Sequence, residues 1–521
     1  MSSTNAAAST RPNILLITTD QQRADTIAAL GNPVIRTPVL DRLVREGTAF
    51  TRAYTPAPVC VPARFALTTG IAPQDSGCVD NIPIPEGPTS LMEILSAAGY
   101  CTHGAGKMHF CPDPGGRRRW GFDSRDVSEE IELGDDYHRF LEAQGYGHVL
   151  DPHGLRGEYY YVPQAPQLPA HLHNTAWVAD RSIDFLRRRE RDRPFFLWSS
   201  FIKPHPPFES PTPWNRLYRS VDMPDPHCPP DAADFRNFWN EVQNRYKYID
   251  AGGEGHTWRT IKAAYYGAIS FIDHHVGRIL AELGPQIDDT LVVFTSDHGE
   301  LLGDYGCAGK RSMLEASVRV PLVVRCPGRF RAGQRCATPA SLLDVLPTFA
   351  QAAGGQTARP PEGADLAEIA AHPARRRIVF SQFSTQSLGL YLATDGAKKY
   401  VYSAADEKEW GFRIADAAQE ERISTDDPEV QALRRCLHDR LRSSSQAEVR
   451  SGDDWRRYGR AAIPADPRAG LLFQEDEAVY AAIDRLEGYG PARRQPGPSL
   501  FDLTVAASLD PRTGRSPLTQ A

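Results

Sequence analysis

The chain has 521 residues, 41% of them hydrophobic and 24% charged, with a formal net charge of -6. That length exceeds one ordinary hydrophobic core and predicts two domains, one of them large, while the mild acidity gives no general pull toward nucleic acid or an anionic membrane. No apolar run approaches the ~20 residues needed to span a bilayer, and residues 1–10 lack the basic-then-apolar order of a secretory signal, so they read as a disordered lead-in on a cytoplasmic protein.

In chain order, residues 13–18 (NILLIT) read as a buried parallel strand, because the apolar run has no period-two alternation. Residues 37–46 predict a helix with Pro38 just inside its start and Gly47 just past its end. Residues 90–98 predict another, with Ser90 as cap, Glu93 at capping-box spacing and Gly99 as stop. Residues 194–201 (PFFLWSSF), 290–295 (TLVVFT) and 319–325 (RVPLVVR) read as further buried parallel strands, with a long helix over 265–283. Strands alternating with helices predict an α/β fold, a doubly wound and mostly parallel sheet. The Ala-, Gly- and Pro-rich stretch 351–373 reads as a linker. Beyond it, residues 377–383, 389–394 and 399–403 read as an antiparallel meander and 428–442 as a helix, together a smaller C-terminal α+β domain. The expected organisation is therefore a lead-in (1–10), a large chemistry-bearing domain (11–370) and a smaller domain with an irregular tail (371–521).

Nine scattered cysteines with no Cys-x-x-Cys pair make neither a disulfide framework nor a structural zinc site. The chemistry is positional instead. In open α/β sheets, ligands sit beyond the carboxyl ends of the strands. Here NILLIT runs into Asp20-Gln21, TLVVFT into Asp297-His298-Gly299-Glu300, PFFLWSSF into Lys203-Pro204-His205, and residues 100–106 into Lys107-Met108-His109. Asp20, Asp297 and His298 offer oxygen and imidazole donors suited to calcium, magnesium or manganese rather than zinc. Cys60 stands two residues before Pro62 and an apolar run, which places it at the positive end of a helix where backbone donors suit an anion. Arg64 adds a cation able to hold an oxyanion in two places. Residue chemistry alone leaves open an anion site with a reactive sulfur or a plain buried cysteine before a helix. His103, His274 and His275 read as structural or solvated, Arg117 to Arg119 as a solvated loop, and Asp135-Asp136 as a helix start; Glu300 reads as support behind the metal residues.

Cys60-Val61-Pro62-Ala63-Arg64 followed by Thr69-Gly70 resembles the signature of the sulfatase family, within the alkaline-phosphatase-like superfamily. The resemblance extends in order through residues 12–25 (PNILLITTDQQRAD), the Thr-Pro-x-Leu-Asp helix at 36–47, Lys107-Met108-His109, Pro204-His205-Pro206-Pro207-Phe208, and Lys310 with Glu315 and residues 319–322 (RVPL). It implies the alkaline-phosphatase-like fold and a Cys60 oxidised to formylglycine by a formylglycine-generating enzyme. It also implies a divalent cation, calcium or alternatively manganese, held by Asp20, Gln21, residue 60, Asp297 and His298. One hydroxyl of the hydrated aldehyde would attack the sulfur of a small-molecule sulfate monoester, with Arg64, Lys107 and Lys310 stabilising charge. His205, with Lys310, would protonate the leaving alcohol, and His109 would take the proton from the second hydroxyl so that sulfate departs. Gln21 replaces the second Asp of many sulfatases, a feature of choline-sulfatase-like and phosphonate-monoester-hydrolase-like members, and Leu314 replaces a tyrosine. Residues 111–169 match nothing in the pattern. Hydrolysis of phosphonate monoesters or phosphodiesters, and a catalytically silent anion-binding relative, are the two alternatives. No nucleic-acid or membrane partner is expected, and the tail leaves a homo-oligomer open.

Overall fold

The computed structural model describes residues 11–111, 119–130, 134–156, 160–247, 255–373, 375–415, 419–463 and 485. The lead-in at 1–10, Arg117, Arg118 and most of the expected tail lie outside them. Eight strands form the main sheet: β1 (Asn13–Asp20), β2 (Thr48–Phe50), β3 (Cys101–Gly106), β4 (Ser124–Val127), β5 (Phe195–Pro204), β6 (Thr290–Ser296), β7 (Leu322–Arg325) and β8 (Gln334–Cys336). Their order is β8-β2-β7-β6-β1-β5-β3-β4. All neighbours pair in parallel except β7, which is antiparallel to both β6 and β2. Along the chain the sheet is interleaved with α1 (Pro38–Glu46), α2 (Cys60–Thr69), α3 (Leu91–Ala97), α4 (Asn174–Arg188), α5 (Phe238–Lys247), α6 (Gly255–Leu283) and α7 (Val345–Ala353).

The apolar run of β1 is continuous because both faces are covered. Ile14 and Leu16 pack with residues of α2, α3 and α7, such as Phe65, Leu91 and Phe349. Leu15 and Ile17 pack on the other face with Leu43 of α1, Trp177 of α4 and Val276 of α6. This is the doubly wound, mostly parallel arrangement. The α3 capping box is present, with Glu93 N–H donating to Ser90 Oγ and Ser90 N–H to the Glu93 carboxylate at 2.7 Å. Asp135 caps the helix Asp136–Ala143.

A second sheet, β9 (Val379–Phe383), β10 (Leu390–Thr394), β11 (Lys398–Ser403), β12 (Lys408–Ile414) and β13 (Glu420–Ile423), is an antiparallel meander. Its alternation has a cause on each face. Tyr391, Tyr400 and Tyr402 pack with Trp455 under α8 (Pro428–Arg442), while Leu390, Leu392 and Val401 pack against Tyr54, Met313 and Val318.

Four expectations need correction. Residues 319–325 are not one parallel strand: Arg319–Val320 pairs with Ala53–Tyr54 in a small separate sheet, and β7 runs antiparallel. Pro321 has no N–H to give the ladder and breaks the run, and burial on both faces makes an antiparallel strand look parallel in sequence. The long helix starts at Gly255, ten residues before the polar-to-apolar change at Tyr265 suggested. The stretch read as a linker carries part of α7 and a short helix, Leu366–Ala371, whose Leu366 and Ile369 are buried in the main core. The meander also has two more strands than expected, β12 and β13. Among the described residues no helix is long and apolar enough to cross a membrane.

Candidate active site

Four segments deliver polar and charged side chains to one end of the main sheet. Asp20 is the last residue of β1, Asp297 and His298 follow β6, Lys107 and His109 follow β3, and His205 follows β5. Cys60 opens α2, so its sulfur sits at the helix end where unpaired N–H groups concentrate positive charge. The glycine before Lys107 is required by close approach: a Cβ on Gly106 would lie 2.0 Å from the Ser200 carbonyl oxygen, and its φ is +95°.

Cys60 Sγ lies 3.3 Å from His298 Nε2, 3.7 Å from Asp20 Oδ1 and 2.9 Å from Lys310 Nζ. Burial and Asp20 push this thiol up, but Lys107, Lys310 and His298 outweigh them and bring it down to about 5. The Asp20 carboxyl shows the same contest: burial and Asp297 raise it, while Lys107, His205 and Lys310 hold it at about 2. Asp297 is held well below the carboxylate range, with His298 and Arg64 overcoming burial.

The residues fit a hard divalent cation. One ligand atom each from Asp20, Cys60, Asp297 and His298 lie within 4.8 Å of one another, all buried. His298 Nδ1–H donates to the Gly299 carbonyl at 3.0 Å, which turns Nε2 toward the cluster. Gln21 N–H donates to Asp297 Oδ1 at 3.0 Å. Its Nε2 donates to Glu300, while Oε1 is a buried oxygen without a partner. That orphan acceptor is the strongest sign that Gln21 belongs with the metal donors, since an unmatched buried oxygen costs free energy. Glu300 stands behind it as expected, accepting from Tyr161 Oη at 2.7 Å and from the N–H groups of Leu302 and Gly309.

Arg64, expected to hold an oxyanion, has most of its donors engaged within the protein. Its Nε donates to Asp297 at 2.8 Å and its Nη1 to the Lys107 carbonyl at 2.7 Å and to Ser200 at 2.9 Å. Nη2 alone has no hydrogen bond and lies 3.5 Å from Asp20. The guanidinium thus ties both carboxylates to the sheet. Lys107 Nζ contacts Asp20 and Glu130. His205 donates Nδ1–H to the Pro206 carbonyl at 2.6 Å and turns Nε2 toward Glu130 Oε1 at 3.6 Å; burial pushes it well below the usual imidazole range. Lys203 anchors the same loop through the Pro207 and His153 carbonyls. His109 adopts φ +57°, with its N–H held by Glu129 at 2.9 Å and a buried Nδ1 without a partner.

Sequence reasoning brought in Asp20, Gln21, Cys60, Arg64, Lys107, His109, His205, Asp297, His298 and Lys310. It missed the two carboxylates after β4: Glu129, which orients His109, and Glu130, which touches Lys107. It missed Asn81, whose side chain accepts the Val61 N–H at the start of α2. It also missed Gln243 on α5, whose amide grips both the N–H and the carbonyl of Lys310. None follows an apolar strand, so none carried a positional signal. His103 is structural as expected, stacked on Phe185 and bonded to Ser124.

The sequence model of the sulfatase family matches residues 12–355. An arylsulfatase of Clostridium perfringens is 35% identical over 366 residues, covering 65% of this chain and 74% of its own. A multifunctional alkaline phosphatase superfamily protein, PehA, of Trinickia caryophylli is 33% identical over 401 residues, covering 68% and 76%. Among solved structures, the phosphonate monoester hydrolase of Agrobacterium radiobacter superposes with a TM-score of 0.69 at 26% identity, over 83% of this chain and 95% of that one.

Proposed function

This chain belongs to the sulfatase family, and from that premise we propose that it hydrolyses a small-molecule sulfate monoester to an alcohol and sulfate, with residue 60 matured to formylglycine by a formylglycine-generating enzyme. The observation that carries the reading is the convergence on one sulfur of Lys310, His298 and Asp20 from three distant segments, at 2.9, 3.3 and 3.7 Å. Asp20, Gln21, residue 60, Asp297 and His298 would hold the cation, calcium on this reading, which supplies positive charge beside the nucleophile and the transferring group.

The remaining chemistry belongs to the chain's own groups. Arg64 fixes Asp20 and Asp297 against the strand ends, so the donor set is organised before substrate arrives. Lys107 and Lys310 place two ammonium groups beside residue 60, where charge on a transferring sulfuryl group would be stabilised. His205 has its Nδ1–H committed to a backbone carbonyl and is kept neutral by burial, so its Nε2 turns to the site as an acceptor, and the Lys310 ammonium is the donor that passes a proton to the leaving oxygen. His109, held by Glu129, is the base that takes a proton from the nucleophilic residue and lets sulfate leave. The near-complete burial of Arg64, Lys107, His205 and Lys310 keeps bulk water out and strengthens each interaction.

A specific observation favours a second reading. Gln21 gives the donor set one negative charge fewer than an Asp would, and a phosphonate monoester hydrolase is among the structural relatives. The test is kcat/KM for 4-nitrophenyl sulfate against 4-nitrophenyl phenylphosphonate, on protein co-expressed with a formylglycine-generating enzyme and checked by mass spectrometry at residue 60. Preference for the sulfate supports the main reading. Preference for the phosphonate moves the protein to the second, and full activity with an unmodified thiol removes the formylglycine scheme.

A further inference from the structure

A carboxylate stands inside the pocket that is otherwise arranged to hold an anion. Glu130 follows β4, and its side chain is 9% exposed. Its Oε1 contacts Lys107 Nζ and lies 3.6 Å from His205 Nε2, while Oε2 lies 3.4 Å from Arg156. One polar atom each of Glu130, Asp20, Cys60 and His205 all fall within 4.8 Å of one another. A fixed negative charge at that range of the nucleophilic position acts on whatever anion arrives there, through a medium that screens it far less than water.

The reaction changes the charge of its ligand. A sulfate monoester carries one negative charge. On hydrolysis the bond from sulfur to the leaving oxygen breaks, a new sulfur–oxygen bond forms from the nucleophile, and one proton goes to the alcohol. The released sulfate is a dianion, and the second proton of the water consumed goes to solvent. A phosphate monoester is likewise a dianion above its second pKa of about 6. We propose that Glu130 is the specificity-determining residue that makes this pocket select monoanionic tetrahedral esters over dianions, disfavouring phosphate monoesters as substrates and expelling inorganic sulfate as product. Lys107 is the pivot: it is shared between Asp20 and Glu130, so an incoming anion competes with a tethered carboxylate for the same ammonium group. Arg156 holds the carboxylate in that position, with His205 beside it.

The inference rests on the sulfate-ester reading for its product and on charge alone for its rule. It is tested with matured full-length protein by two measurements, the Ki of inorganic sulfate and the ratio of kcat/KM for 4-nitrophenyl phosphate to that for 4-nitrophenyl sulfate at pH 8.5. Glu130→Gln keeps the shape and removes the charge. It is expected to lower the Ki of sulfate and to raise the phosphate-to-sulfate ratio, each by about tenfold or more. Glu130→Asp, which keeps the charge, is expected to retain the wild-type order of ligands. A Gln variant with both quantities within about twofold of wild type overturns the proposal. So does a Gln variant that gains equally on monoanionic and dianionic ligands, which would make Glu130 a simple plug. If the wild type prefers 4-nitrophenyl phenylphosphonate, the sulfate reading fails, and that monoanionic ester replaces the sulfate in the ratio, so the charge rule is still tested.

Discussion

Two buried lysines separate a working region from a structural one. Lys107, at the end of β3, and Lys399, in β11, are both fully buried, and each meets two carboxylates: Asp20 and Glu130 in one case, Glu315 and Glu420 in the other. Burial and paired charge therefore do not by themselves mark function. The surroundings differ. Lys399 also donates to the Met313 carbonyl at 2.6 Å, Tyr54 Oη reaches Glu315 at 3.2 Å, and Tyr305 Oη reaches Glu420 at 3.2 Å, so the cluster ties the second sheet to the small sheet of Tyr54 and the segments around Tyr305 and Glu315. Around Lys107 the shared carboxylate Asp20 also faces Arg64, His298 and the Cys60 sulfur, which Lys310 meets from a further segment. Cations and carboxylates converging on one nucleophilic sulfur are the better sign of a site.

The largest effect that tests this contrast is at the sulfur. Cys60→Ala is expected to abolish turnover, by about 10⁴-fold or more, with a Tm close to wild type measured by calorimetry. His109→Ala should lower kcat by about 10²–10⁴-fold and leave a sulfated residue 60 visible by intact-protein mass spectrometry; normal turnover would take His109 out of its role. The two lysines then trade effects. Lys107→Met should cost about 10²–10³-fold in kcat/KM. Lys399→Met leaves Glu315 and Glu420 facing each other without their cation and should destabilise the fold by about 3–5 kcal/mol. Its kcat/KM at low temperature should stay near wild type; equal losses of activity in both variants would erase the distinction.

The smallest effect isolates burial without a counter-charge. Asp273 on α6 accepts from the N–H groups of Val39 and Leu40, and burial, only partly offset by those two bonds, pushes its carboxyl up to about 7. Asp20, just as buried, is held at about 2 by its cations. An Asp whose folded pKa lies above its unfolded value of about 3.9 binds its proton more tightly when folded, so stability falls as pH rises from about 4 to about 7. Asp273→Asn should flatten that part of the Tm profile relative to wild type. An unchanged slope would mean that Asp273 is not the group responsible.

The site was legible where a signal exists in one dimension. Asp20 and Asp297 end apolar runs, and Cys60 precedes Pro62, so strand ends and a helix start could be read directly. Glu129 and Glu130 could not, because β4 (SRDV) is short and polar and announces no strand. The grip of Gln243 on Lys310 spans 67 residues and leaves no local trace. For the fold, both covered faces of β1 were evident from its unbroken apolar run. The reversed direction of β7 was not, because a strand buried on both faces looks the same either way.

The 1% exposure of Cys60 has a consequence in time. On the formylglycine reading, an enzyme that oxidises residue 60 must reach its sulfur, whereas the finished fold locks that residue into the first turn of α2 beneath Lys310 and His298. On that reading, oxidation and folding are then competing rates, and a molecule that closes first keeps its thiol. The yield of competent protein would be set by how long the nascent chain stays open. Refolded thiol protein given the maturation enzyme afterwards should remain unconverted, while the same chain supplied unfolded should be a substrate.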